Sequence, residues 1–136
     1  MKPLPDNWRT LASGINAEVN ALPYVADESG KDVWDDIGLA GGDCDNFAIG
    51  KLNRLYAIGF PIERLRLATC FIGADGGRVQ GEGHVVLVVD AQDDRYVLDN
   101  RHSDVVPVAS LIAEGITLDR IQAAGGSRTW IPWKHE

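Results

Sequence analysis

Three residue types that together make a thiol acyl-transfer centre occur in this chain in a suggestive order: Cys44, His84 and Asp99. Cys44 stands in Gly41-Gly42-Asp43-Cys44-Asp45-Asn46-Phe47. With Asp43 as N-cap, Cys44 is the first residue of a helix. A helix start carries roughly half a positive charge and unpaired N–H groups. That setting lowers a thiol pKa and offers donors to an oxyanion. The two glycines leave the sulfur accessible. The neighbouring carboxylates oppose a thiolate, so a histidine partner is needed as base, and the histidine needs an acceptor to orient it.

His84 opens one Val-rich segment and Asp99 closes the next. A hairpin centred between Ala91 and Gln92 sets the two directly opposite each other on one face, with Cβ atoms about 5 Å apart. One imidazole nitrogen then meets the carboxylate and the other is left for the sulfur. The loop has no Gly, so four residues fit better than a tight two-residue turn. A one-residue slip would separate the pair onto opposite faces. His102 is a rival base, and His135 reads as a solvated tail residue. Cys70 lies inside an apolar segment and reads as core.

The elements that must position these residues are legible in part. Trp8, Leu11, Ile15, Val19 and Leu22 form one helical stripe, capped by Asp6 or Asn7 and ended by Pro23. Residues 24 to 42 read as a loop with an acidic patch at Asp32, Asp35 and Asp36. Phe47, Ala48, Lys51, Leu52 and Leu55 continue the helix begun at Cys44, with Gly59 past its end and Pro61 forbidding continuation. Residues 65–72, 84–89 and 95–98 read as strands. Residues 73 to 83 form a Gly-rich connection, a mobile flap or plain linker, with no phosphate-loop pattern. Residues 107–113 read as a short helix and the Trp130 region as a last strand. Helices first and an antiparallel sheet later predict an α+β fold. Trp34 is read as core or cleft wall, and Trp130 and Trp133 as lids on the core.

The chain's 136 residues suit a single domain spanning 1–136. A net charge of −7 argues against nucleic acid and against anionic membrane surfaces. Two cysteines make no disulfide framework, and no Cys/His cluster suggests zinc. The N-terminus shows no apolar signal region and no stretch approaches the ~20 apolar residues of a membrane span. The sequence as written therefore reads as a cytoplasmic, soluble protein that requires no cofactor.

The motifs Asp32-Val33-Trp34, Gly42-Asp43-Cys44-Asp45-Asn46-Phe47-Ala48-Ile49-Gly50-Lys51, Gly59-Phe60-Pro61, Leu65-Arg66-Leu67, His84-Val85-Val86-Leu87 and Val97-Leu98-Asp99-Asn100 resemble the LapG-type bacterial transglutaminase-like cysteine proteinases. The likeness reaches loosely back to Val19-Asn20 and covers roughly residues 15 to 100. It implies a papain-like, transglutaminase-like fold, with N-terminal helices and the Cys helix packed on an antiparallel sheet. It implies Cys44 as nucleophile, His84 as base and acid, and Asp99 as orienter. It also implies a protein substrate, a periplasmic setting, and calcium held near positions 43 and 46. Here those are Asp43 and Asn46, and the amide brings one negative charge fewer to a hard cation. The upstream Gln of papain itself is absent. Asn20 and the Trp34 indole are candidate second oxyanion donors beside the Cys44 N–H. The same triad would serve a cysteine peptidase, a transglutaminase or an amidase. A binding module that has kept the fold without the chemistry is a further alternative.

Overall fold

The computed structural model describes residues 1–26, 34–73 and 82–135. Asp32 and Val33, and the Gly-rich connection between residues 74 and 81, lie outside the described residues.

Helix α1 spans Trp8–Asn20 and buries Ala12, Asn16 and Val19. Helix α2 spans Cys44–Ala57. It ends as its sequence predicts: Gly59 has φ of 110°, Phe60 N donates to Leu55 O at 3.0 Å and Gly59 N to Tyr56 O at 3.2 Å. These two bonds close a Schellman motif, and Leu55 and Phe60 are both buried. A 3-10 turn at Ile62–Arg64 leads into the sheet.

The strands are β1 (Leu65–Ile72), β2 (Glu82–Asp90), β3 (Arg95–Leu98), β4 (Val106–Pro107), β5 (Thr117–Gln122) and β6 (Trp130–Pro132), with helix α3 at Val108–Ala113. They form one sheet in the order β4-β3-β2-β1-β5-β6, with every pair antiparallel. The strand side chains alternate between two apolar clusters, because successive residues point to opposite faces. Leu65, Leu67, Val85, Leu87, Val89 and Leu98 pack with Ala48 and Leu55 of α2 and Ala12 of α1. Ala68, Cys70, Val86, Val88 and Val97 pack with Val108 and Leu111 of α3, Ile121 and Trp133. Both faces being covered explains why β2 reads as an unbroken apolar run rather than an alternation.

The hairpin register differs from the sequence expectation. Asp90 pairs with Arg95 and Leu87 with Leu98, so the turn centre falls between Gln92 and Asp93. The strand runs on through Asp90, and Asp94, not Asp93, closes the loop by accepting from Ala91 N at 2.9 Å. Asp99 is therefore two residues along from the point facing His84. A shift of two preserves the face, since side chains alternate with period two. Strands β4 and β5 were not expected. β5 mixes exposed and buried positions, and its pairing with β1 shifts register at Thr69/Cys70, which blurs any local alternation.

Candidate active site

The start of α2 is built by local hydrogen bonding. Asp43 is extended (φ −97°, ψ −170°) and forms a capping box with Asn46. Asn46 Oδ1 accepts from Asp43 N at 3.1 Å. Its Nδ2 donates to Asp35 O and Asp35 Oδ1, each at 2.9 Å. The loop before it is stitched to the chain leaving α1: Gly42 N donates to Pro23 O and Val25 N to Gly42 O, at 3.2 and 2.8 Å. Gly41 has φ of +93°, and a Cβ there would run into the Pro23 carbonyl. Gly41→Ala is therefore expected to lose about 1–3 kcal/mol of stability in denaturant unfolding and to slow alkylation of Cys44. Gly38→Ala, whose Cβ would meet nothing within 4 Å, is the neutral control. Equal stabilities of the two variants would contradict this account.

Cys44 and His84 line the same cleft, of about 550 Å³, with Thr69, Cys70, Tyr24 and Trp34 among its walls. Cys44 is half-buried. His84 stands near the start of β2 and is buried, and its Nε2 donates to Asp99 Oδ1 at 2.7 Å. The diagonal of an antiparallel pair, ~7–8 Å between backbones, is within reach of an imidazole. Nδ1 is the nitrogen this leaves for other work.

Asp99 is 1% exposed. Burial alone would raise its pKa, yet hydrogen bonds from His84 and Arg101 outweigh it and hold the carboxyl well below the usual carboxylate range. Cys70 pairs across the strands with His84. Burial, then the charge of Asp99, pushes its thiol up to about 12, so it stays protonated and belongs to the core, as its sequence context predicts.

The other sequence candidates fall into different places. Asn20 is not among the residues lining the cleft. Its Nδ2 donates to the carbonyls of Asp99 and His102 at 3.1 and 2.9 Å, so its amide tethers the Asp99 loop instead of facing an oxyanion. Trp34 is a cleft wall, edge-on to Trp130 at 5.8 Å between centroids. His102 bonds Glu114 Oε1 at 3.0 Å and is likewise absent from the cleft lining. His135 is exposed and Trp133 is buried in the core.

Three groups near the site were not singled out from the sequence. Tyr24 lines the cleft and stacks on Phe47 at 6.1 Å. Its phenol pKa is raised, first by burial and then by the negative charges of Cys44, Asp43 and Glu82. Arg101 binds Asp99, a pairing that a cation two residues past the acid could have suggested. Lys51 is wholly buried beneath the helix; its place on the apolar stripe was the signal.

Asn46 does not present a free ligating oxygen to a metal. Calcium takes 6–8 oxygens, and no group of three or more His, Cys, Asp and Glu among the described residues could hold a metal ion. Asn46 spends its oxygen on the Asp43 amide and turns N–H groups toward Asp35, which is donor chemistry, not ligation. Asp45 has a buried Oδ2 with no hydrogen-bond partner among the described residues, one oxygen where a calcium shell takes several.

Comparison with known proteins agrees with this architecture. The chain matches the family model of bacterial transglutaminase-like cysteine proteinases (BTLCP) over residues 1–132. No curated protein matches it. Legionella pneumophila LapG in its calcium-bound form is 22% identical, with a TM-score of 0.73 over 95% of this chain and 71% of that one. The EGTA-treated form of the same protein is 20% identical, with a TM-score of 0.69 over 94% and 68%. A further LapG structure from that organism gives 21% and 0.69, over 93% and 70%. At these identities the structural likeness carries the fold: helices on an antiparallel sheet, as in the transglutaminase-like proteases. With the family matched across almost its whole length, this chain belongs to the bacterial transglutaminase-like cysteine proteinases.

Proposed function

We propose that this cysteine peptidase cleaves its protein substrate through Cys44, His84 and Asp99. The observation that carries the reading is the buried 2.7 Å His84–Asp99 bond beside a helix-start cysteine in the same cleft. Asp99 holds the Nε2 proton, which fixes the tautomer and leaves Nδ1 to the Cys44 thiol. The thiolate attacks the scissile carbonyl, the oxyanion is met by the Cys44 N–H, and His84 gives its proton to the leaving amine. Water, deprotonated by His84, then resolves the thioester and returns the free thiol. A lysine amine as acceptor would instead produce a cross-link. The test is incubation with an unstructured protein and a labelled amine, read by mass spectrometry against Cys44→Ala. New termini that depend on Cys44 support peptidase action. Amine incorporation without cleavage overturns it in favour of transamidation.

The LapG comparison includes a calcium-bound structure, whereas Asn46 here commits its oxygen to the Asp43 amide. Millimolar calcium against EGTA is expected to move the unfolding midpoint by less than about 1 °C. A shift of several degrees that disappears in Asp45→Asn would instead place calcium beside Cys44.

A further inference from the structure

We propose that Arg101 is a positioning residue for this reaction: its guanidinium shares the Asp99 carboxylate with His84 and so limits how tightly that carboxylate locks a proton onto the imidazole. The proposal rests on the triad reading above.

The geometry is a charge-assisted fork. Arg101 Nη2 and Nε donate to Asp99 Oδ2 at 2.6 and 3.1 Å. Arg101 N donates to Oδ1 at 3.0 Å, the same oxygen that receives His84 Nε2. The two side-chain donors converge on one carboxylate oxygen, and charge-assisted bonds of this kind are short and strong. The loop that carries both residues is held in place: Asn20 binds the Asp99 and His102 carbonyls, and Asn16 binds those of His102 and Ser103 at 3.0 Å each. These bonds fix the backbone from which the Asp99 and Arg101 side chains extend, and the Arg101 guanidinium is held to the carboxylate by its own hydrogen bonds. Arg101 Nη2 also reaches Glu114 Oε1 at 3.4 Å, whose other partner is His102.

The consequence follows from charge. A lone buried carboxylate beside an imidazole strongly favours imidazolium and raises its pKa. Here a cation at hydrogen-bond distance offsets that carboxylate. A base whose pKa stays near the working pH cycles best between accepting and donating a proton. The groups bearing on Asp99 are His84 on β2, Cys70 on β1, Lys51 on α2, Arg101 in its own loop and, through Arg101, Glu114 past α3. Arg101 is the cation in direct contact.

The test is Arg101→Met and Arg101→Gln, with Arg101→Lys as the charge-preserving rescue. The Arg101 side chain is 28% exposed, so truncation leaves the apolar core untouched. The first readout is the His84 titration by NMR. The second is the pH profile of Cys44 alkylation by iodoacetamide, and the third is peptide cleavage. In both neutral variants the His84 midpoint and the alkaline limb of alkylation are expected to rise by about one pH unit. kcat should fall while KM holds, and Arg101→Lys should return the midpoint most of the way. A purely structural role would lower the unfolding temperature without moving the midpoint. Should Arg101→Met not fold, Arg101→Gln keeps amide donors to the carboxylate and carries the same expectation. A folded neutral variant with an unmoved His84 midpoint overturns the proposal. His84→Ala separates the two readings. If it collapses the alkylation profile while the Arg101 variants do not shift it, the Arg101 proposal alone fails. If His84→Ala leaves the profile intact, the triad reading fails, and the NMR midpoint still decides whether Arg101 governs His84.

Discussion

Replacing His84 with alanine is expected to lower kcat/KM for peptide cleavage by at least about a thousandfold, comparable to the loss in Cys44→Ala, because the two act as one unit. A thiol flanked by Asp43 and Asp45 has little reason to ionise on its own. The helix start favours the thiolate, but its half-charge faces two adjacent carboxylates. His84 supplies both the proton sink and a neighbouring cation. Cys44 alkylation should then be rapid and nearly flat through neutral pH in the native protein. In His84→Ala it should rise only above about pH 8, as for an ordinary thiol. Cys70 provides an internal control: buried and with its thiol pushed up to about 12, it should resist labelling in both. Identical Cys44 profiles with and without His84 would dismiss the triad.

Lys51→Met is expected to make the protein more stable at and below neutral pH. Lys51 is fully buried on α2, and its Nζ has no hydrogen-bond partner among the described residues. Burial lowers its pKa from 10.5 to about 7, against the opposing pull of Asp99. A net downward shift means that the cost of burying the ammonium exceeds the attraction. The sign follows from proton binding. Between about pH 7 and 10.5 the unfolded chain holds a proton that the folded chain has released, so stability rises with pH across that window. Below about pH 7 both states are protonated and the full penalty stands. Methionine has a similar length and no charge to bury, so the variant should gain on the order of 2 kcal/mol near pH 6. It should also lack the rise toward pH 10. Denaturant unfolding of both proteins from pH 6 to 10 gives the difference directly. A constant difference across that range, or a less stable variant, would show that the Lys51 amine has a partner that makes its burial favourable.

The parts of this site that sequence reasoning reached are those set by neighbouring residues. Asp43, Gly59 and Pro61 bound α2 because caps and breakers act within one turn of themselves. Leu65–Ile72 and Arg95–Leu98 appear at the expected bounds because apolar residues there must face one layer or the other. His84 and Asp99 share a face because a strand's side chains repeat every two residues, and the two-residue error in register left that parity intact. What failed depended on partners far along the chain. Asn20 looked free to serve an oxyanion, but the carbonyls that engage its amide belong to a loop some eighty positions later. β5 is a strand because β1 offers it an edge, and nothing local announces that. Lys51 sat on an apolar stripe, where a long side chain could equally have reached solvent.

By itself, then, the order of residues determined a cysteine at a helix start, a histidine and an acid able to meet on one sheet face, and the family that shares them. The tertiary structure alone decided which imidazole nitrogen Asp99 takes, that Arg101 competes for the same carboxylate, and that a lysine is sealed beneath the helix. The physical reason is range. Caps, turns and side-chain alternation act over a few residues, whereas burial and charge pairing depend on which distant segments the folded sheet brings into contact.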